Sequence, residues 1–175
     1  MIRSFNGKTP KIAESAFVSE TAYVIGDVEI GENCSIWPGA VIRGDLGKIR
    51  IGNNTVIEDN CVIHSGSPSL PPITDVTIGD NVIIGHAAVS NACKIGNNVL
   101  ISMNSTILHD VEIGDYAIVA AGCVVKEKMK IPEKSFVVGV PAKIKGKISE
   151  EQLWWSQNSP KIYHDLTQQY KREGL

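Results

Sequence analysis

Aliphatic residues recur at every sixth position along most of this chain. Ile12, Val18, Val24, Ile30, Ile36 and Ile42 form a first series, and Ile51, Ile57 and Ile63 resume it after a three-residue slip. Ile78 and Ile84 follow a longer interruption, and from Val89 the series reads Ile95, Ile101, Ile107, Ile113, Val119, Val125, Ile131 and Val137. A period of six is neither the 3.6 of a helix nor the alternation of two that a sandwich strand shows. It is the period of a parallel β-helix, in which each hexad supplies one short strand and a turn and three hexads close a triangular coil. The predicted fold is an all-β solenoid, a left-handed parallel β-helix with the aliphatic residue of each hexad inside the prism. Residues one coil of three hexads apart then stack at the strand spacing of about 4.8 Å. Glycine follows the aliphatic position at Gly26, Gly31, Gly52, Gly79, Gly85, Gly96 and Gly114, where the turns are expected to need positive φ.

The breaks in phase predict where the chain leaves the prism. "RGDLGKIR" (43–50) inserts a small excursion, and "HSGSPSLPPITD" (64–75), with three of the eight prolines, reads as an extruded loop. The hexads end at "VVGVPAKIKGKIS" (137–149), after which "SEEQLWW" (149–155) opens a helix. Ser149 is placed as its N-cap and Gln152 closes a capping box. Pro160, preceded by Ser159, predicts a restart of the helix, since proline suits a first helical position. Tyr163, Leu166 and Tyr170 then form an apolar stripe expected to pack along the outside of the prism. The predicted organisation is a β-helix domain over 1–145 and a C-terminal helical segment over 146–175.

Charge and composition exclude some partners. The 17 basic and 19 acidic residues, with a pI near 6.1, build no strong field of either sign, which argues against nucleic acid and anionic membranes as partners. No apolar run is long enough to span a bilayer, and "MIRSFNGKTP" has no apolar signal core, so a soluble, cytoplasmic chain is expected. Cys34, Cys61, Cys93 and Cys123 form no C-x-x-C pair and fit small buried thiols in a reducing compartment.

Of the four histidines, His164 falls in the charged C-terminal segment and is read as solvated. His64 directly follows core Ile63 and borders the extruded loop. His86 and His109 each lie two residues past a core isoleucine. Three imidazoles on neighbouring coils, near Asp45, Glu58 and Asp59, form a candidate site.

Several segments resemble, in order and over nearly the whole chain, the γ-class carbonic anhydrases and their hexapeptide-repeat relatives. They are "RGD" (43–45), "IGNNTVIEDNCVIH" (51–64), "IGDNVIIGH" (78–86), "VVGVPAK" (137–143) and the Tyr-bearing tail. The resemblance implies a homotrimer of left-handed β-helices acting on CO2 and bicarbonate, with one metal at each subunit interface. That metal is zinc, or iron or cobalt, bound by three histidines, two from one subunit and one from its neighbour. His64 matches the first of these histidines and His86 the second. The family pattern G-H-x-x-x-x-H-G puts the third at Asn91. The family segment T-N-I-Q-D matches Thr55-Val56-Ile57-Glu58-Asp59, so Val56 replaces an asparagine and Glu58 a glutamine that helps position the attacking water. Arg43, Asp45 and Asp59 match the interface ion pair and hydrogen-bond network beside the metal, and Tyr163 falls where some relatives place a tyrosine near the site.

An asparagine amide is a weaker metal donor than an imidazole. Two substitutes follow from spacing. His109 lies one full coil of three hexads beyond Asn91 and is expected to stack over it, as a replacement ligand or proton carrier. Glu58 offers an anionic oxygen that makes a set of two histidines and a carboxylate. Three functions remain open on these residues: metal-dependent reversible hydration of CO2, CoA-dependent acyl transfer with His86 or His109 as general base, and a catalytically silent trimer.

Overall fold

The computed structural model describes residues 1–66 and 75–174, so most of the extruded loop expected at 64–75 lies outside the described residues. The chain winds into a parallel β-solenoid of about seven turns and ends in one helix. Its strands are mostly two residues long, one inward and one outward, as a six-residue repeat with a turn at each corner requires.

Three inward columns fill the prism. On the first face Val24, Ile42, Ile63, Ser90, Ile107 and Val125 stack in register. On the second, Ile12, Ile30, Ile51, Ile78, Ile95, Ile113 and Ile131 do so. On the third the column is Val18, Ile36, Ile57, Ile84, Ile101, Val119 and Val137. Nearly all these side chains are sealed from water, and each buried isoleucine contributes roughly 1.5–3 kcal/mol of transfer free energy. The long strands Tyr23–Ile30 and Val41–Ile51 turn a corner and join the first two faces into one sheet.

The outward residue before each core position differs systematically between faces. The second face presents Lys11, Glu29, Arg50, Thr77, Lys94, Glu112 and Lys130, tied by ion pairs such as Arg50–Glu29 at 3.1 Å and Lys130–Glu112 at 3.1 Å. The third presents Phe17, Ser35, Val56, Ile83 and Leu100, packed under the C-terminal helix with Trp37. The first presents Tyr23, Val41, Val62, Val89, Thr106 and Val124, a ladder of mostly β-branched side chains that is only partly shielded.

Five local expectations are corrected. Val89 is not a core residue: the strand Val89–Ser90 pairs Ser90 with Ile63 and Ile107, leaving Val89 exposed and Ser90 buried. The next core position is Ile95, so this coil is one residue short of three hexads, and Ser90 Oγ accepts from the Ala92 N–H at 3.3 Å inside the shortened turn. The glycines after the aliphatic positions mostly do not have positive φ. Left-handed φ falls instead two residues further on, as at Asn33, Asn54, Asn81 and Asn98 (φ 54–55°), residues that tolerate that conformation. Glycine is needed for close approach, as at Gly52, where a Cβ would stand 2.3 Å from Asp80 Oδ1 and 2.8 Å from Gly79 O.

The helix does not restart at Pro160 but runs unbroken over Glu150–Glu173, with the Ser149–Gln152 capping box formed as expected. Asn158 and Ser159 side chains donate to the carbonyls of Trp154 and Trp155, each at 2.7 Å, in the turn that the proline disturbs. Its buried face is Ser156, Pro160 and Thr167 with Tyr163 and Tyr170, whereas Leu166 points outward. His164 is half-buried rather than solvated, beside the corner asparagines Asn33, Asn54 and Asn81. No helix among the described residues is long and apolar enough to cross a membrane.

Candidate functional site

The expected site residues divide into two clusters, each built from consecutive rungs. In the first, Arg43 follows core Ile42 and His64 follows core Ile63, and the ladder pairs them directly on the first face. Asp45 lies where Val41–Ile51 shifts register against Tyr23–Ile30, and this bulge turns its carboxylate back towards both. Gly44 permits it, because a Cβ there would come 2.7 Å from Asp27 O. Asp45 accepts from Arg43 Nη1 and lies 2.9 Å from His64 Nε2. Burial works to raise the Asp45 pKa, but the hydrogen bonds from Arg43 and His64 outweigh it and hold the carboxyl below its usual value. Asn91 follows Ser90, the partner of Ile63, so it takes the position beside His64 one rung on.

The second cluster occupies the corner between the third and first faces. Glu58 and Asp59 follow core Ile57, and His86 follows Gly85 on the next rung, its turn tied down by the Ala87 N–H to Asp59 O at 2.8 Å. His86 Nε2 stands 3.0 Å from Glu58 Oε2 and Nδ1 2.9 Å from Asp59 Oδ2. A neutral imidazole has one N–H donor and can serve only one of these carboxylates at a time. Glu58 is 5% exposed and carries further donors: the His86 backbone N–H at 2.8 Å and the hydroxyl of Tyr163. Burial, then the Glu58 carboxylate, push the Tyr163 phenol well above its ordinary pKa. Tyr163 arrives from the C-terminal helix, held by the cluster that also buries Val56, so the residue in the family's asparagine position is part of the helix seat.

The structure does not stack His109 over Asn91. Because the coil from Ser90 to Ile107 is one residue short, Asn91 faces Leu108, and His109 turns at the next corner with Nδ1 3.9 Å from Glu127 Oε1. Nor does Glu58 meet both candidate ligands: it contacts His86, while the carboxylate beside His64 is Asp45. Among the described residues no three His, Cys, Asp or Glu side chains of one chain converge as a metal-binding group. Sequence reasoning missed Trp37 as the platform for the helix; its signal was a large aromatic directly after a core isoleucine, facing two tyrosines seven residues apart in the tail.

The family description "Bacterial transferase hexapeptide (six repeats)" matches residues 9–44 and 92–127. The chain is 37% identical over 168 residues to "Gamma carbonic anhydrase 2, mitochondrial" of Arabidopsis thaliana, covering 95% of this chain and 60% of that protein. It is 35% identical over 163 residues to the carnitine operon protein CaiE of Escherichia coli, covering 93% of this chain and 81% of CaiE. A crystal structure of a candidate acetyltransferase from Bacillus cereus matches with a TM-score of 0.90 at 34% identity, covering 98% of this chain and 96% of that one. The chain thus spans about 60% of the length of the plant γ carbonic anhydrase it matches.

Proposed function

This chain belongs to the γ-carbonic-anhydrase-like hexapeptide-repeat family, and from that premise we propose that it acts on CO2 and bicarbonate at the interfaces of a homotrimer. The observation that carries the reading is where the two clusters sit. Both lie on or at the edge of the first face, whose outward column is apolar and, among the described residues, lacks the helix that covers the third face and the ion pairs that solvate the second. An uncovered apolar sheet face favours association with another copy, and closed cyclic symmetry covers it without leaving an edge. In such a trimer the Arg43–His64–Asn91 cluster of one subunit faces the His86 corner of the next.

The donors fit a divalent zinc, iron or cobalt ion only across subunits. His64 and Asn91 of one chain and His86 of its neighbour would hold it. Asp45 is the carboxylate partner of His64, whereas His86 has a carboxylate at each ring nitrogen, Asp59 at Nδ1 and Glu58 at Nε2, and would have to release one of them to ligate while keeping the other as its partner. When bound, such an ion polarises water and lowers its pKa towards neutrality. The chain's own residues do the rest. Arg43, 43% exposed at its side chain, keeps donors beyond its bond to Asp45 and orients a bicarbonate oxygen. Glu58 and Tyr163 hold a proton at a fixed place beside the reacting centre, Tyr163 donating to Glu58 Oε1. Asn91, a neutral amide, leaves the donor set weaker than three imidazoles. The four free cysteines suit a reducing cytoplasm.

The test is metal content and CO2 hydration, measured on the wild type and on Asn91→His after loading with zinc, iron(II) or cobalt(II). A trimer by light scattering, with metal retained in the wild type and bound more tightly in Asn91→His, supports the reading. A monomer at micromolar concentration rejects the shared site. The competing reading is acyl transfer, supported by the similarity to the candidate acetyltransferase. Saturable acetyl-CoA binding without CO2 hydration would favour it.

A further inference from the structure

We infer that Trp37 is a positioning residue for the proposed reaction: it sets the ring of Tyr163 so that the Tyr163 hydroxyl reaches Glu58, and through Glu58 it fixes His86. The inference rests on the reading of the site given above. Trp37 and Glu58 occupy equivalent positions on consecutive rungs, one residue past Ile36 and Ile57, which pair in register. The Trp37 backbone N–H donates to Ile57 O at 2.9 Å, so the Trp37 backbone lies one strand spacing from that of Glu58 along the same edge. Tyr163 bridges the two. Its ring meets Trp37 edge-on, with centroids 5.8 Å apart at 71°, and its hydroxyl donates to Glu58 Oε1.

The platform is itself fixed. Trp37 is 5% exposed, and its Nε1–H donates to Ser35 Oγ at 3.1 Å, which sets the ring plane. Phe17 at 5.5 Å and Tyr170 at 5.1 Å close its other sides. Among the described residues, Trp37 is the one ring paired with that of Tyr163. Edge-to-face contacts are directional, so this pair fixes the aim of a phenol carried by a helix far downstream of Glu58 in the chain. Glu58 then holds His86 through both its backbone N–H and its ring. The chain of contact runs Trp37, Tyr163, Glu58, His86, and a generic packing role for Trp37 does not require it.

The experiment reads the ring ¹⁵N signals of His86 in metal-free, histidine-labelled protein at one fixed pH, assigned with His86→Gln. Tyr163→Phe is expected to shift these signals. Trp37→Leu should shift them in the same direction, Trp37→Phe should return them towards the wild-type position, and Trp37→Leu with Tyr163→Phe should move them no further than Tyr163→Phe alone. Phe17→Leu removes a ring that touches Trp37 and Tyr170 but not Tyr163, and should shift the His86 signals much less than Trp37→Leu does. If Trp37→Leu does not fold, Trp37→Met carries the same comparison. In active protein, Trp37→Leu should lower kcat about tenfold or more with KM little changed, because misplacing a group by about 1 Å costs up to ~100-fold. The inference is overturned if Trp37→Leu leaves the His86 signals unmoved while Tyr163→Phe shifts them, or if Phe17→Leu shifts them as far as Trp37→Leu does. Wild-type protein without CO2 hydration would reject the reaction and leave this chain of contacts to stand or fall on the ring signals.

Discussion

Replacing Tyr163 by phenylalanine removes one oxygen and leaves the ring contact with Trp37 in place. The lost group is the hydroxyl that donates to Glu58, a carboxylate only 5% exposed. Hydrogen bonds to charged groups contribute about 1.5–3 kcal/mol. Glu58 keeps the His86 N–H at 2.8 Å and the His86 ring at 3.0 Å, so it is not stranded, and the lower end, about 1.5 kcal/mol, is expected. A second signature lies at high pH. The folded state holds the Tyr163 proton more tightly than the unfolded chain, where a phenol titrates near pH ~10. Its stabilisation is therefore complete below about pH 10 and lost as pH rises through the raised folded value. Urea unfolding at one fixed protein concentration, at neutral pH and between about pH 9 and 11, measures both, since assembly makes stability concentration-dependent. The variant should be weaker at neutral pH and lose less than the wild type above about pH 10. Equal neutral-pH stability within about 0.5 kcal/mol, or identical alkaline losses, would refute the account of Tyr163.

Asp45→Asn should flatten the acid limb of stability. The hydrogen bonds from Arg43 and His64 hold the Asp45 pKa down, so its contribution is present above about pH 4 and lost as pH falls through the folded value; acid titration followed by circular dichroism compares the two proteins. Gly52→Ala should destabilise by about 1–3 kcal/mol in thermal melts, because its Cβ meets the Gly79 backbone as well as the Asp80 side chain, and backbone cannot swing away. Iodoacetamide at pH 8 should leave Cys34 and Cys61 unmodified until unfolding, since burial pushes their thiols up to about 11 and about 12; half-buried Cys93 should react first, as read by mass spectrometry of timed samples.

The sixfold spacing made the solenoid legible because one aliphatic side chain per hexad is enough to fix which residue points inward. It failed at Val89, where the inward residue is a serine and the only aliphatic nearby is its outward neighbour. That one-residue error carried into the expectation for His109: three full hexads counted across a shortened coil land one position away. The capping box was readable because it is local, three residues from end to end. The continuity of the helix through Pro160 was not, since it depends on packing against the prism and on Asn158 and Ser159 occupying neighbouring carbonyls. At the candidate site, each residue's rung could be counted, so the meeting of Arg43 with His64 was within reach. The contact of Tyr163 with Glu58 could not be counted, because no repeat relates the helix to the coils.

The separate characters of the three outward columns bear on how such a chain can change length. Ile36 and Ile57 are farther apart in sequence than three hexads, and Ile57 and Ile84 farther still, yet each pair stacks in register. Extra residues that leave at a corner and return to it therefore change nothing downstream. An insertion taken up within the winding would instead carry every later residue towards the next face, bringing charges to the apolar ladder and valines to the ion-paired column. A duplicated whole coil would do neither, lengthening the apolar, charged and helix-covered sides together. For this architecture growth by full coils is a neutral step, while a small shift of phase within the winding alters which surface a partner subunit would meet.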